Sequence, residues 1–244
     1  MQQVSSRKVF DGELVYAAHD SAVLACPMEF TVFVPAEIQP DKPAPVLWWL
    51  SGLTCTADNF TTKAGAYRAA AEHGLIVVAP DTSPRGNDVP DDEAYDLGQG
   101  AGFYLDATQA PWDANFHMHR YIVEELQALV AGNYPIDVAR QCIAGHSKGG
   151  HGALTHGLRH PELYRSISAF SPIVAPAQVP WGEKAFSAYL GPDKDAWHHH
   201  DATQLMRAAG DRSAAPSILI DQGMADEFLD EQLRPDLFEA ACAD

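Results

Sequence analysis

The sequence predicts an α/β fold with a mostly parallel central sheet and helices on both faces. Continuous apolar runs at residues 46–50 (VLWWL) and 75–79 (LIVVA) are typical of strands that are covered on both faces. A segment of helical composition separates these runs, as in a βαβ unit, and a glycine-rich turn follows a third apolar run near residue 145. With 244 residues, 46% of them hydrophobic, residues 1–244 are expected to form one domain.

The first half of the chain is expected to begin with an antiparallel edge. Alternating residues at 14–16 and 30–34 predict strands within residues 8–34, with a turn near His19 and Asp20 and a stop at Pro35. Residues 46–50 then form a central strand, residues 63–73 a helix ended by Gly74, and residues 75–79 a second buried strand. Residues 82–110 are too long and glycine-rich for a simple connection, and loops of this kind are often functional.

The second half continues the alternation of helices and strands. The pattern predicts helices at 115–131, after the turn at 145–149, in part of 193–207 and at 228–243, with a proline-rich excursion at 172–180 before residues 181–190. Strands are predicted at 142–144, 166–170 and 217–220. In such a sheet, ligands bind where the parallel strands end, so the segments that follow residues 50, 144 and 220 are the places to look for a site.

Composition excludes several classes of function. A net charge of −17 argues against nucleic acid or an anionic membrane as partner. The chain has no apolar run of 18 residues and no hydrophobic segment behind its first charges, which predicts a soluble, cytoplasmic protein. The four cysteines are widely spaced, so we expect reduced thiols, no zinc site and no cofactor. The histidines at 198–200 are interpreted as a solvated run, because adjacent histidines on a helix point in different directions.

Residues 145–149 (GHSKG) carry the strongest chemical signal. They fit the pattern G-x-S-x-G of a strand-to-helix elbow, which holds a serine hydroxyl exposed above a sheet. Glycine is needed at both ends of the pattern because side chains there would collide with the flanking strand or helix. Ser147 is therefore the candidate nucleophile, and the alternative is a serine in an ordinary glycine-rich turn.

The partners of such a serine can be sought by position. The N–H of Lys148, directly after the serine, and that of Leu53, in the loop after an earlier strand, are candidates for the oxyanion hole. Asp221 and Asp226 both follow a late strand, and Asp226 is favoured as the acid because it lies deeper in the loop. Either aspartate is otherwise a turn residue.

The base of a triad is not found where the elbow topology requires it. The histidine should follow the acid, yet all eleven histidines precede Asp226. The strand and helix expected there are absent as well, so the chain is expected to lack the last βα unit and to expose apolar surface on the neighbouring elements. His146 and His151 lie near the serine in sequence, and each is a less favoured substitute for the base.

Several segments together resemble the S-formylglutathione hydrolases, the esterase D family. The segments are 50–56 (LSGLTCT), 79–86 (APDTSPRG), 100–104 (GAGFY), 145–147 (GHS) with 149–154 (GGHGAL), 180–182 (PWG), and 221–223 (DQG) with Asp226 and 228–229 (FL). The resemblance implies an α/β-hydrolase fold and hydrolysis of S-formylglutathione to formate and glutathione, the last step of glutathione-dependent formaldehyde removal. It assigns Ser147 as nucleophile, Asp226 as charge-relay acid, and Leu53 and Lys148 as oxyanion donors.

The resemblance has further implications and two departures. It implies a homodimer and a pocket wall that includes Trp181, and Cys55 lies close to the oxyanion loop as a further substrate contact or an unreactive thiol. Family members usually have methionine where this chain has Lys148, whose ammonium would attract an anionic substrate or lower nearby pKa values. They take their histidine from a Gly-Tyr-Asp-His-Ser type of segment that this sequence does not contain. Two alternatives therefore stay open, a broad carboxylesterase or acyltransferase and a non-catalytic binding homologue.

Overall fold

The strands of the protein join into one sheet in a computed structural model that describes residues 1–212 and 215–243. Within these residues the strands are β1 (Gln2–Val9), β2 (Gly12–Ser21), β3 (Cys26–Val34), β4 (Ala44–Leu50), β5 (Ile76–Pro80), β6 (Ile136–His146), β7 (Tyr164–Phe170) and β8 (Ser217–Asp221). Their order is β1-β2-β3-β5-β4-β6-β7-β8. The pairs β1–β2, β2–β3 and β3–β5 are antiparallel. The pairs β5–β4, β4–β6, β6–β7 and β7–β8 are parallel. The predicted α/β class with a mostly parallel sheet is confirmed.

The antiparallel edge differs in detail from the prediction. The turn predicted near His19 and Asp20 is wrong, because both residues lie in β2 and pair with β3. The chain turns at residues 22–25 instead, where Ala25 has a φ of 51°. The Glu125 carboxylate fixes this turn by accepting a 2.7 Å hydrogen bond from the Ala22 N–H. Such a contact spans 103 residues of sequence and leaves no local signal.

Helices cover the sheet between these strands. They are α1 (Ala57–Lys63), α2 (Tyr67–Glu72), α3 (Met118–Arg120), α4 (Gln127–Ala131), α5 (Lys148–Arg159), α6 (Pro180–Leu190), α7 (Lys194–Trp197), α8 (Ala202–Ala208) and α9 (Pro235–Ala243). A π-helical segment, Tyr121–Leu126, joins α3 to α4. None of the helices in the described part of the chain has the length and hydropathy needed to span a bilayer.

Two of the predicted helices are broken into shorter pieces. Of the helix predicted over residues 63–73, only Tyr67–Glu72 is helical as α2; Lys63 is the last residue of the earlier helix α1, and Gly65, with a φ of 63°, separates the two. The helix predicted over residues 228–243 is a π-helical turn, Leu229–Leu233, followed by α9, and Arg234 between them has a φ of 51°. A residue in the left-handed region ends a right-handed helix, and the apolar periodicity runs across both breaks without showing them.

The two faces of the sheet carry cores of different size. On one face α4 and α5 pack on β4, β6 and β7, and α8 packs on α5, which builds the larger core. On the other face α1 and α2 pack near β3 and β5 around a smaller cluster that includes Phe33 and Phe60. The predicted covering of both faces is therefore confirmed. The elbow between β6 and α5 lies beside the ends of β4 and β7, where the predicted site residues meet.

Candidate active site

Ser147 occupies the junction between β6 and α5 with strained backbone angles. Its φ is 57° and its ψ is −120°, a conformation that a residue with a side chain seldom adopts. The Ser147 N–H donates to the Phe170 carbonyl of β7 (2.8 Å), and its carbonyl accepts from the His151 N–H of α5 (3.0 Å). The hydroxyl makes no hydrogen bond to any residue within 1–212 or 215–243 and is partly exposed. This elbow therefore presents the serine as the sequence predicts.

The glycines of the elbow are required by close packing of the backbone. A Cβ atom on Gly145 would lie 2.1 Å from the Gly149 carbonyl oxygen and 2.7 Å from that of Leu50. A Cβ atom on Gly149 would lie 2.0 Å from the same Leu50 oxygen. Any side chain at either position would force β4, β6 and α5 apart, so the two glycines set the height of Ser147 above the sheet.

A cavity of about 370 Å³ opens above Ser147 and contains most of the predicted site residues. Its lining consists of Gly52, Leu53, Cys55, Tyr95, His146, Ser147, Ser171, Trp181, Asp226, Phe228 and Leu233. A much smaller space beside the serine, of about 10 Å³, is lined by Leu53, Asp96, Phe103, Ser147, Lys148, Ile173 and Trp181. The structure thus brings together the nucleophile, both predicted oxyanion residues, the favoured acid and both predicted substrate contacts.

Two backbone donors are available beside the serine. Lys148 is the first residue of α5, where an N–H has no partner within the helix, and Leu53 lies in the loop after β4. Neither N–H donates to another backbone group in the described residues. Because both residues line the small space next to Ser147, the pair can stabilise negative charge that develops on a carbonyl oxygen held there.

The loop that carries Leu53 is anchored by groups from distant segments of the chain. The Tyr104 hydroxyl donates to the Ser51 carbonyl (2.7 Å), and the Thr54 N–H donates to the Gly100 carbonyl (2.9 Å). The Cys55 carbonyl accepts from the Thr82 hydroxyl (2.6 Å) and from the Arg85 guanidinium (3.0 Å). These contacts lock a loop in which Thr54 has a φ of 64°, an unfavourable value for a β-branched residue.

These anchors are functional residues that the site prediction missed. Tyr104, Thr82 and Arg85 all lie in segments that carry the resemblance or in the long loop that follows β5. The excess length of residues 82–110 was the available signal, but nothing in the pattern says which residue reaches the loop after β4. Asp81 holds Arg85 in place through an ion pair of 3.0 Å.

The Lys148 side chain is buried and does not present its charge to the substrate cavity. It is 1% exposed, and its Nζ donates to the Gly100 carbonyl at 3.0 Å and lies 5.9 Å from the centre of the Phe103 ring. Burial lowers its pKa to about 7, with a smaller opposing effect from Cys55. The expectation that this ammonium attracts the substrate from solvent is therefore corrected, because the group points into the protein.

The two candidate acids have different positions. Asp226 lines the cavity with Ser147, and its carboxylate accepts a 3.0 Å hydrogen bond from the Phe228 N–H. Asp221 is an exposed residue at the end of β8, and its carbonyl accepts from the Ser171 N–H at 2.8 Å. The geometry thus favours Asp226 over Asp221 as the residue that faces the chemistry.

The histidines near the serine also differ. Of the eleven histidines, all of which the structure describes, only His146 lines the cavity with Ser147 and Asp226. Desolvation lowers the pKa of His146, and the nearby Asp226 carboxylate partly offsets this effect. His151 is 1% exposed, its pKa is lowered to about 3 by burial, and its ring packs against Phe103. His151 therefore lies in the core and not in the site.

Three other sequence interpretations have structural outcomes. Burial raises the pKa of the Cys55 thiol, so this cavity-lining cysteine is held in its less nucleophilic form. Trp181 packs against Phe228 with ring centres 4.9 Å apart and forms a wall of the cavity.

Of the histidines at 198–200, the first two are exposed but His200 is half-buried near Phe186, which corrects the expectation of a fully solvated run. In the described residues no cluster of acidic, histidine or cysteine side chains is arranged to hold a metal ion.

Comparisons with known proteins agree with this geometry. A family model described as putative esterase matches residues 21–244. An S-formylglutathione hydrolase of Mus musculus is 50% identical over 100% of this chain and 86% of that protein. The solved structure of an S-formylglutathione hydrolase from Agrobacterium tumefaciens superposes with a TM-score of 0.95 at 48% identity, over 99% of this chain and 86% of that one. A ferulic acid esterase with a TM-score of 0.71 and 22% identity, over 95% of this chain and 85% of that one, shares the fold. The chain belongs to the S-formylglutathione hydrolase family of esterases.

Proposed function

We propose that this protein is a serine thioesterase that hydrolyses S-formylglutathione to formate and glutathione. The observation that carries the proposal is the shared cavity, in which the Ser147 hydroxyl lies beside the N–H groups of Leu53 and Lys148, and none of these three groups is hydrogen-bonded within the part of the chain that the structure describes. Relatives that match the whole chain at about half identity bear the name of this activity. The similarity to these relatives supports the choice of substrate, and the geometry of the cavity supports attack by a serine with an oxyanion hole.

The proposed reaction proceeds through an ester on Ser147. The serine oxygen attacks the formyl carbon, the carbonyl oxygen becomes an oxyanion between the two N–H groups, and the carbon–sulfur bond then breaks. The proton that the Ser147 hydroxyl loses passes to the departing glutathione sulfur, and water then attacks the serine ester, which releases formic acid and returns a proton to the serine oxygen. A thiolate needs less help from a general acid than an amine does. The narrow space of about 10 Å³ beside Ser147 suits an acyl group as small as formyl.

The first test is the hydrolysis of S-formylglutathione by the 244-residue chain, with Ser147→Ala as the blank and His146→Ala as the probe of the base. We expect turnover that is impaired, because no histidine of the described residues hydrogen-bonds to the Ser147 hydroxyl, and that Ser147→Ala abolishes. If His146→Ala removes that turnover with the fold retained, His146 is the proton acceptor. Hydrolysis that persists in Ser147→Ala would contradict the proposal.

A second candidate is favoured by one observation, namely that no histidine ring hydrogen-bonds to the Ser147 hydroxyl in the described residues. On this reading the chain binds the glutathione ester without turning it over. Calorimetric titration with a stable glutathione thioether, together with an absence of turnover, would support it. A third reading, a broad carboxylesterase or acyltransferase, would require a higher kcat/KM for short aryl esters than for the glutathione thioester.

The proposal has a cellular setting as well. We propose that the enzyme acts in the cytoplasm, where glutathione is abundant and thiols stay reduced, and that it completes the removal of formaldehyde captured by glutathione. The cysteines of the chain are all free, which suits that compartment. The homodimer stays a prediction that light scattering of the purified protein can check.

A further inference from the structure

We propose that the side chain of Lys148 is a positioning residue, which braces the oxyanion loop by binding, through its ammonium, the same Gly100 carbonyl that anchors Thr54. The inference deepens the proposed function and rests on it for the identity of the substrate. It assigns to one residue two separate tasks, the backbone N–H in the oxyanion hole and the side chain behind that hole.

The Gly100 carbonyl is the point where the two halves of the oxyanion hole are tied together. It accepts the Thr54 N–H at 2.9 Å and the Lys148 Nζ at 3.0 Å. Thr54 directly follows Leu53, the donor on one side of the hole, and Lys148 is the donor on the other side. A displacement of this carbonyl would therefore move both donors relative to Ser147.

The carbonyl itself is held firmly. The Gly100 N–H donates to the Ser83 hydroxyl at 2.6 Å, and Ser83 is fully buried. Gly100 adopts a φ of 81°, and a Cβ atom there would lie 3.3 Å from the Thr54 Cα. The loop around Gly100 is thus packed directly on the residue that it positions, and Lys148 closes the arrangement from the side of α5.

The burial of Lys148 needs an explanation that ordinary packing does not supply. Its Nζ makes no ion pair with a carboxylate anywhere in the described residues, and its one hydrogen bond goes to an uncharged carbonyl. A buried cation without an anionic partner is costly, whereas an apolar side chain of similar length would fill the same space without that cost. Such a residue contributes to something other than stability.

The charged groups around Lys148 determine how the brace responds to pH. Asp96 favours the ammonium, Arg85 opposes it, and Lys184 pairs with Asp96; Cys55 would favour the ammonium only as a thiolate, which its raised pKa disfavours. Desolvation is the largest effect and brings the pKa of Lys148 to about 7. The ammonium is therefore intact below pH 7 and is lost above it, and a neutral amine is a weaker donor to the carbonyl. The bracing is expected to weaken between pH 6.5 and pH 8.5.

The test compares the wild-type protein with Lys148→Met, and with Lys8→Met as a control that removes one exposed lysine far from the site. Hydrogen exchange of a peptide covering residues 51–56 needs no substrate. We expect this peptide to exchange at least several-fold faster in Lys148→Met and at the wild-type rate in Lys8→Met. The melting temperature of Lys148→Met should not fall, because the variant removes a buried charge.

The second readout is kinetic. With S-formylglutathione, or with p-nitrophenyl acetate if the thioester is not turned over, Lys148→Met should lower kcat about tenfold with little change in KM. The ratio of wild-type to variant kcat should shrink from pH 6.5 to pH 8.5 as the wild-type ammonium deprotonates. If the protein hydrolyses p-nitrophenyl acetate but not S-formylglutathione, the proposed substrate is contradicted. The hydrogen-exchange result and the kinetics on the ester then test the role of Lys148 independently.

Three results would overturn the inference: unchanged exchange of residues 51–56 in Lys148→Met, faster exchange without a lower kcat on an ester that is hydrolysed, or a kcat ratio that is constant with pH. Should Lys148→Met not fold, the wild-type protein alone gives the answer. The protection of residues 51–56, corrected for intrinsic exchange and compared with that of residues 46–50, should then fall between pH 6.5 and pH 8.5. Constant protection would again contradict the brace.

Discussion

The Tyr104 hydroxyl shows how much of the site depends on single contacts. The Tyr104 ring is fully buried, and its hydroxyl donates to the Ser51 carbonyl at 2.7 Å. Ser51 lies two residues before Leu53, which supplies one of the oxyanion donors. A backbone carbonyl that loses its partner in the interior costs about 1–3 kcal/mol, which is more than the net contribution of an ordinary hydrogen bond. Small errors in the position of an oxyanion donor also reduce the rate strongly.

We therefore predict that Tyr104→Phe lowers kcat by about tenfold and the free energy of unfolding by about 1–2 kcal/mol, since it leaves the Ser51 carbonyl unpaired. Steady-state kinetics and urea denaturation measure the two effects. Tyr134→Phe is the matched control, because the Tyr134 hydroxyl makes no hydrogen bond to a described residue. Equal effects of the two substitutions would argue against the anchoring role.

The sequence predicts those site residues that lie in short motifs with a fixed local geometry. Ser147, Lys148 and Leu53 are found from short motifs, because the elbow and the loop after β4 have fixed local geometry. Tyr104 and Arg85 are missed, because they reach the oxyanion loop across 53 and 30 residues of sequence. Position in the chain gives no indication of which side chain of a long loop turns inward.

Among the elements, the elbow between β6 and α5 is set by backbone contact and not by side chains. The Cβ position of Gly145 lies 2.1 Å and 2.7 Å from two carbonyl oxygens that belong to different elements. Backbone atoms in the centre of a sheet cannot move aside as the end of a flexible side chain can. Replacement of this glycine must separate the elements themselves.

Gly145→Ala is therefore expected to destabilise the protein by about 3 kcal/mol or more, at the upper end of the range for overpacked cores. Gly210→Ala is the control, since no atom of residues 1–212 or 215–243 lies within 4 Å of a Cβ atom there and the position is exposed; its effect should stay within about 0.5 kcal/mol. Urea denaturation of both variants checks the prediction. A mild effect at Gly145 would mean that the elbow is more adaptable than its contacts indicate.

Helix α5 also carries an unusual group of buried histidines behind the nucleophile. His151 and His156 belong to α5, and His119 packs on His156 with ring centres 4.7 Å apart. Burial lowers the pKa of His151 and of His156 to about 3, and it lowers the pKa of His119 as well. The His156 Nδ1–H donates to the Gly152 carbonyl at 2.6 Å, which favours the protonated ring, but desolvation outweighs this contact and keeps the ring neutral.

These histidines predict a loss of stability in mild acid. Above pH 6.5 they are neutral in both the folded and the unfolded state, but below it the unfolded chain binds protons that the folded chain does not. The free energy of unfolding should fall by about 1 kcal/mol for each such histidine between pH 7.5 and pH 5.5. Urea denaturation at the two pH values measures the loss.

The variant His156→Gln removes one of the titrating rings, so its loss of stability over the same pH range should be smaller by about 1 kcal/mol. His198→Gln, which changes an exposed histidine, should behave as the wild type does. An identical pH dependence in all three proteins would show that the buried rings are not responsible.

For the whole molecule, the sequence predicts a mostly parallel sheet and the places of its strands along the chain, whereas it does not predict the breaks in the elements. Apolar runs locate β4, β5, β7 and β8, and alternation locates β2 and β3. The breaks at Gly65 and Arg234 depend on single residues with positive φ that the apolar periodicity does not register. The turn at residues 22–25 depends on Glu125, which tertiary structure alone brings there.

The anchoring of the oxyanion loop by Tyr104, Arg85 and Gly100 has a consequence for the folding pathway. These contacts join segments 30 to 53 residues apart, and contacts of that kind form only after the intervening chain has been ordered. During refolding from urea, we expect far-UV circular dichroism to recover before reactivity of Ser147 towards a fluorophosphonate. Simultaneous recovery would contradict this order. If circular dichroism recovers first, an intermediate with a complete sheet has no catalytic activity, and the reactivity of Ser147 reports the last step of folding and not the first.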